Sequence, residues 1–485
     1  MHPAHQELTP ETTPDTARWR ILAVLLTAQF MSLVGISIVN VVLPTVQSGI
    51  GASQADLQWV LSGYALTFGI VLVAAGRAGD VLGRGALFAA GVATFTLASV
   101  AAGLAVEPTG LVVARFVQGA GSGLVTPQVM GMMQRHFRGR ELGRAYGFFG
   151  AVSGVSVAVG PLLGGAFVAL FGADTGWRWT FLLNAPLGVA TLILAAAWFP
   201  RPWPATTERR NARARHDLDP VGCVLLGLSI LTLLLPFVNG RQHPWTWWLL
   251  PVSAALSAWW IRWERTYLHR GRAPMVDLAL FRIPSFALGN IIGGLYYLGT
   301  TSVWVLVAMY TQQGAGFSAL QAGLLGLPSA LCAAFAAQWA GSRVTGYGRR
   351  IVIAGAVVAL GGLGAGIGVI WAHGAAGTSL WWLLPTLSLM GIAQGAIISP
   401  NQTLTMMDVP VGQSGSAGGL VQTSQRIGTA IGIAMITAIF FATQQRTSWD
   451  AAMIVALTSI AAVVLATLAV AVADQRKRSA ALTAS

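Results

Sequence analysis

The side chains that could do chemistry in this 485-residue chain are few, and their spacing assembles no catalytic centre. The seven histidines (His2, His5, His136, His216, His243, His269 and His373) fall in tails or near the ends of apolar runs. No HExxH spacing occurs, and no nucleophile stands beside a base, so no metal site, cofactor or catalytic residue is expected. The only lysine is Lys477 and there is no GxxxxGK(S/T) loop, which excludes ATP-driven work by this chain. Cys223 and Cys332 lie singly in apolar runs and read as small buried hydrophobes.

The remaining candidates are polar groups inside long apolar runs. An arginine at a bilayer centre costs ~2.5–3.5 kcal/mol on insertion scales, so Arg115 and Arg426 should face a cavity or a partner. Arg115 either ties helices together through backbone carbonyls or offers a positive group to a central cavity. Gln118, one turn on, shares its face. In the second half of the chain Asn290, Tyr296, Tyr297, Ser399, Asn401, Gln402, Gln422, Gln425 and Arg426 form polar stripes that line either interfaces or the cavity. Of the sixteen acids, only Asp80 and Asp408 lie at run ends near the apolar region, with Asp56 opening the second run. None falls at mid-run, where a proton carrier or cation counter-ion would be simplest to place.

The elements that must position these groups are membrane-spanning helices. Charged residues make up 9% of the chain and hydrophobic ones 55%, against about 25% charged in soluble domains. A span needs about 20 apolar residues. Fourteen such runs lie near 21–43, 57–75, 86–106, 109–132, 145–171, 180–199, 220–238, 245–262, 286–310, 319–340, 351–372, 380–406, 416–442 and 452–473. Of the 29 basic residues, 24 fall on one side of these runs, three (Arg178, Arg241, Arg446) on the other, and Arg115 and Arg426 inside. This bias makes the first side cytoplasmic, with both termini inside. The +13 charge is therefore an insertion signal, and no nucleic-acid partner is expected. With its polar first 20 residues, no cleavable leader is expected.

The layout is a tail (1–20), six spans (21–200), a basic cytoplasmic linker (201–219), two inserted spans (220–263), a second linker (264–285), six more spans (286–473) and a tail (474–485). Two glycines seven apart, the second followed by arginine, close both Gly76–Arg84 and Gly341–Arg349, each after the second span of a six-span block. Their equivalent positions indicate a duplication, and parallel repeats of this kind hold substrate between the halves.

Read together, these segments resemble the major facilitator superfamily, and within it the fourteen-helix drug:proton antiporter branch. Gly76, Asp80, Gly83 and Arg84 match its loop signature, although Val81 and Gly85 stand where basic residues are usual. Arg115, Gln118, Gly119 and Gly123 match the arginine motif of the fourth span. Gly160-Pro161-Leu162-Leu163-Gly164-Gly165 is similar to the antiporter motif of the fifth. Ser37–Pro44, Trp177–Gly188 and Val276–Arg282 look like signatures of the branch.

The resemblance implies an all-α polytopic fold with a pseudo-twofold axis, in the plasma membrane, acting as a monomer on a small molecule with protons as the coupling ion. It implies export of a toxic compound or antibiotic by alternating access; import of a nutrient by symport or facilitation is the alternative. Asn40 is expected to approach Arg115 from the first span, again from the family fold. Gly76, Asp80, Gly83 and Arg84 are expected to gate the cytoplasmic face, with Asp80 pairing with arginines across it or acting as a turn cap. Gly160, Pro161, Gly164 and Gly165 are expected to bend the fifth span and tune the seal, or simply to pack. Gly35 occupies the position where the branch commonly has an embedded aspartate, so the cavity charge is expected to be positive and the substrate neutral or anionic.

Overall fold

The structure, a computed structural model, describes residues 15–200, 218–240 and 243–483. The N-terminal tail to residue 14 and most of the 201–219 linker lie outside the described residues. The first block contains α1 (Asp15–Ser37), α2 (Val39–Ile50), α3 (Gln54–Leu82), α4 (Arg84–Gly103), α5 (Pro108–His136), α6 (Gly139–Leu182) and α7 (Asn184–Trp198). The inserted hairpin is α8 (Pro220–Asn239) and α9 (Leu249–His269). The second block contains α10 (Pro284–Met309), α11 (Ala319–Tyr347), α12 (Arg349–Ala376), α13 (Leu383–Met406), α14 (Ser414–Gln444) and α15 (Trp449–Thr483).

Local chemistry sets the helix ends. Ser53 with Asp56, and Ser318 with Gln321, form reciprocal capping boxes that open α3 and α11. Pro108 and Pro220 open α5 and α8, where their missing N–H costs nothing. The duplicated segments break at the glycine before the arginine: Gly83 (φ 104°) separates α3 from α4, and Gly348 (φ 54°) separates α11 from α12. A side chain at positive φ is strained, so glycine fixes both breaks.

Twelve helical stretches among the described residues are long and apolar enough to cross a membrane. The expected spans near 109–132 and 245–262 are helices α5 and α9 but fall outside that set. The buried run of α5 includes Arg115, Gln118, Gln128 and Gln134, so packing against protein relieves it of the need to be apolar. Two boundaries differ from expectation. The first span is broken at Ile38 into α1 and α2, and the fifth runs on to Leu182 through a non-helical Gly172 (φ 80°).

The blocks repeat one packing scheme: α3 and α4 lie on α5, and α11 and α12 lie on α13. Each block has its own apolar core, centred on residues such as Phe88, Phe95 and Tyr146 in the first and Leu363, Ile397 and Phe440 in the second. The hairpin packs on α3 and also touches α14. Large apolar side chains such as Leu97, Phe335 and Trp371 point outward, as a lipid-facing surface requires. The molecule is an all-α polytopic membrane protein.

Candidate transport cavity and its seal

The two halves meet through α3–α14 and α6–α11, and both seams are built on glycine. At the end that carries Arg77, Arg84, Arg138 and Arg343, a Cβ on Gly76 would strike the carbonyl of Gly415, and one on Gly341 would strike that of Gly143. Gly147 and Gly150 continue the second seam against Ala337, and Gly418 and Gly419 continue the first against Met130 and Val73. Toward the opposite end, a Cβ on Gly165 or Gly323 would meet nothing, and one on Gly160 or Gly164 would meet Ser37, Ile38 and Val41 of its own half. The halves are sealed at the basic end and diverge at the other.

Asp80 locks this seal. It lies in the last turn of α3, not in a loop, with its side chain 2% exposed. Its Oδ1 accepts from Arg84 Nη2 at 2.7 Å and Nε at 3.1 Å, and from the Gly415 amide at 3.1 Å. Its Oδ2 accepts from the Ser416 amide at 3.0 Å and hydroxyl at 3.2 Å. The partner across the seam is therefore the N-terminus of α14, whose free amides and dipole favour an anion, while the pairing arginine belongs to Asp80's own half. Arg84 also crosses, donating to Val411 O at 2.6 Å while holding Gly131 O of α5 at 2.6 Å. Gln134 of α5 adds donations to the carbonyls of Met406 and Val409.

Arg115 is packed within the first half and 1% exposed. It donates to Val60 O at 2.9 Å, Gly35 O at 3.3 Å and Gln118 Oε1 at 2.5 Å, and Gln118 passes the chain to Ser99 Oγ at 2.6 Å. Gly35, at the position discussed for an aspartate, thus supplies a carbonyl to this arginine. Asn40 belongs to the backbone of α2, and its side chain lies outside the described residues.

Arg426 is the contrasting case. It is half-buried on α14, its guanidinium lies 4.6 Å from the Phe68 ring of the other half, and among the described residues it makes no hydrogen bond or ion pair. Tyr64 and Tyr297 are the ionisable side chains that face it. Tyr64 and Phe68, one turn apart on α3, stack at 6.1 Å and 7°, and Arg115 lies 4.4 Å over the Tyr64 ring. Two guanidiniums thus bracket one aromatic pair, one satisfied by carbonyls and one open.

The other polar candidates divide similarly. Asn401 is buried and structural: it accepts from Arg349 at 2.5 Å and donates to Gly289 O at 2.9 Å. Asn290 donates to Phe286 O of its own helix, and Tyr296 is buried edge-on against Tyr297. Gln402 is buried with its Oε1 lacking a partner, and Gln422 is buried on α14 a turn before Arg426. Gly160 and Gly164 let α6 approach α1 and α2, where Ser37 donates to Ser156 O at 3.1 Å. Pro161 lies within continuous helix, and the break in α6 comes eleven residues later, at Gly172.

Composition hid several acids from sequence reasoning. Asp474 pairs with Arg349 at 2.6 Å with both side chains fully buried, Asp450 accepts from Tyr310 at 2.5 Å, and Asp219 and Glu264 are buried in the hairpin. All four lie near helix ends, where sequence alone does not distinguish a buried end from a wet one. Residues 25–433 match the Major Facilitator Superfamily. Over 435 residues the chain is 32% identical to the probable actinorhodin transporter of Streptomyces coelicolor, covering 88% of this chain and 73% of that protein. It is 30% identical over 437 residues to the cephamycin export protein CmcT of Amycolatopsis lactamdurans, covering 89% and 87%. The human organic anion transporter MFSD10 shares the fold, with a TM-score of 0.65 over 95% of this chain and 100% of that one at 14% identity. The glycine seams, the Asp80 lock and the repeated packing of the two blocks agree with these matches: the chain belongs to the Major Facilitator Superfamily of membrane transporters.

Proposed function

We propose that the chain is a secondary active exporter of a small toxic compound or antibiotic, working by alternating access as a monomer in the plasma membrane, with protons as the counter-ion. Similarity over most of the chain to proteins named for actinorhodin transport and cephamycin export supports export over nutrient import. The arginine bias supports fourteen spans with both termini and the sealed end cytoplasmic, so the halves are held open to the outside.

The observation that carries the substrate class is Arg426, a guanidinium between the halves with no acidic partner among the described residues. A fixed positive charge in a low-dielectric cleft repels cations and favours neutral or anionic compounds. Arg115, held by carbonyls, positions α3 and α5 behind that cleft. The test is proton-driven uptake into inverted membrane vesicles with matched anionic, neutral and cationic dyes, with and without an uncoupler. Uncoupler-sensitive uptake of the anionic or neutral dye, lost in Arg426→Ala at unchanged protein abundance, is the expected result. Strong transport of a monovalent cation, unaffected by Arg426→Ala, overturns the substrate reading.

A further inference from the structure

A pair of buried acids lies apart from the cavity, at the basic end of the inserted hairpin. Asp219 caps α8 with φ 42°, the only positive-φ residue besides glycine among those described. Its Oδ1 accepts from the Gly222 amide at 2.9 Å and from the Trp263 indole at 2.8 Å. Glu264 follows Trp263 on α9, is 1% exposed, and among the described residues has no hydrogen bond of ordinary geometry on either oxygen. The donors turned toward it are the indole of Trp260 and the amides of Met275 and Val276. A Cβ on Gly222 would strike Asp219 Oδ2 and stand 3.1 Å from Glu264 Oε1, so both carboxyl groups converge on the space over that glycine.

This cluster sits beside the seal. Val73 of α3 is in its apolar wall, and Leu420 of α14 packs against that wall. Leu420 is one turn beyond Ser416, and Arg77 is one turn before Asp80. Among the described residues, Arg77 and Cys223 are the other titratable or charged side chains facing the cluster. Leu420 and the 275–276 segment add apolar side chains and amides. Two carboxylates in so dry a space cannot both ionise without a large penalty. Asp219 has two N–H donors fixed on Oδ1, and Glu264 has none bonded among the described residues.

We propose that Glu264 and Asp219 form a proton-binding site of the hairpin, with Glu264 carrying the proton, and that its occupancy favours the sealed arrangement of α3 and α14. Burial first, and the Asp219 charge second, push the Glu264 carboxyl up to about 8. Because the docked value is raised, docking takes up a proton. The contribution is fully present below the ordinary carboxylate range and is lost as pH rises toward about 8. The site gives the cytoplasmic seal a sensitivity to pH on its own side, and it rests on the reading that this end opens during transport.

The experiment uses the full chain in lipid nanodiscs. Infrared difference spectra across mildly acidic to alkaline pH should show a protonated-carboxyl band that bleaches with a midpoint near 8. The band should vanish in Glu264→Gln, and its midpoint should fall in Asp219→Asn, where the like charge is gone and Oδ1 can still cap α8. Spin labels at exposed Arg140 and Thr345, on α6 and α11, should separate with rising pH in the unmodified protein and stay pH-invariant in Glu264→Gln. A band that survives Glu264→Gln, or a midpoint in the ordinary carboxylate range, overturns the site. If Glu264→Gln does not fold, the Asp219→Asn midpoint decides: no downward shift overturns the proposal. Efflux in the same membranes is read separately. Normal efflux without the band removes this site alone, and the band without efflux removes the transport reading alone.

Discussion

Replacing Asp80 by asparagine should open the basic end without unfolding the protein. In either orientation, the asparagine amide sets an NH2 group against N–H donors, facing Ser416 or facing Gly415 and Arg84. The contacts to Arg84 lie within one half and persist when the halves part. Only those to the N-terminus of α14 are specific to the sealed state, and only differential contacts shift a population. Two backbone bonds to a carboxylate, together with the helix-dipole interaction, are worth about 2–4 kcal/mol net. That corresponds to roughly a 30- to 1,000-fold shift away from the sealed state. The assay is the distance distribution between spin labels at Arg140 and Thr345, with efflux measured at matched abundance. The expected outcome is a longer distance and a large loss of efflux. An unchanged distribution with normal efflux would refute the lock, leaving Asp80 as a cap of its own turn.

Gly341→Ala sets a Cβ against the carbonyl of Gly143 and should hold the α6–α11 seam apart, lengthening the same label distance and slowing efflux. Arg115→Ala leaves the carbonyls of Val60 and Gly35 and the side chain of Gln118 without their donor, at a cost of about 1–3 kcal/mol for each buried group. Its thermal melting in detergent should fall steeply, and Arg115→Lys should recover part of the loss because lysine lacks the planar fork. Asp474→Asn removes the counter-charge of the fully buried Arg349 and should destabilise by about 3–5 kcal/mol, read as lower melting temperature and abundance.

Periodicity and composition reach the helices because lipid imposes one requirement on every span, which is why the runs and the breaks at Gly83 and Gly348 are legible from the sequence. They do not reach partners whose identity is backbone. The N-terminus of α14 that meets Asp80 has no residue-type signature, and neither do the carbonyls of Val60 and Gly35 that hold Arg115. Equal composition therefore conceals opposite environments: Arg115 and Arg426 look alike in sequence, yet one is satisfied and the other open. Asp474 and Glu264 were equally hidden, because burial at a helix end depends on which neighbour covers it.

The duplicated segments show what the protein did with its symmetry. Gly76 and Gly341 occupy the same place in the repeat, and each meets a glycine carbonyl of the other half. Arg84 and Arg349 also correspond, and each turns back to its own block, Arg84 to Gly131 of α5 and Arg349 to Asn401 of α13. The difference lies three residues before the breaking glycine, where Asp80 has Thr345 as its counterpart. With Asp80 present, Arg84 joins a charge network that crosses to Val411 and α14. With threonine there, Arg349 finds its acid in Asp474 of its own half. One seam therefore closes by charge and shape, and the other by shape alone. A contact made and broken in every cycle must be recoverable, and an anion held by the amides of a helix N-terminus meets that need. A fully buried ion pair costs too much to separate, so Arg349–Asp474 fits the rigid half-body against which the Asp80 lock opens and closes.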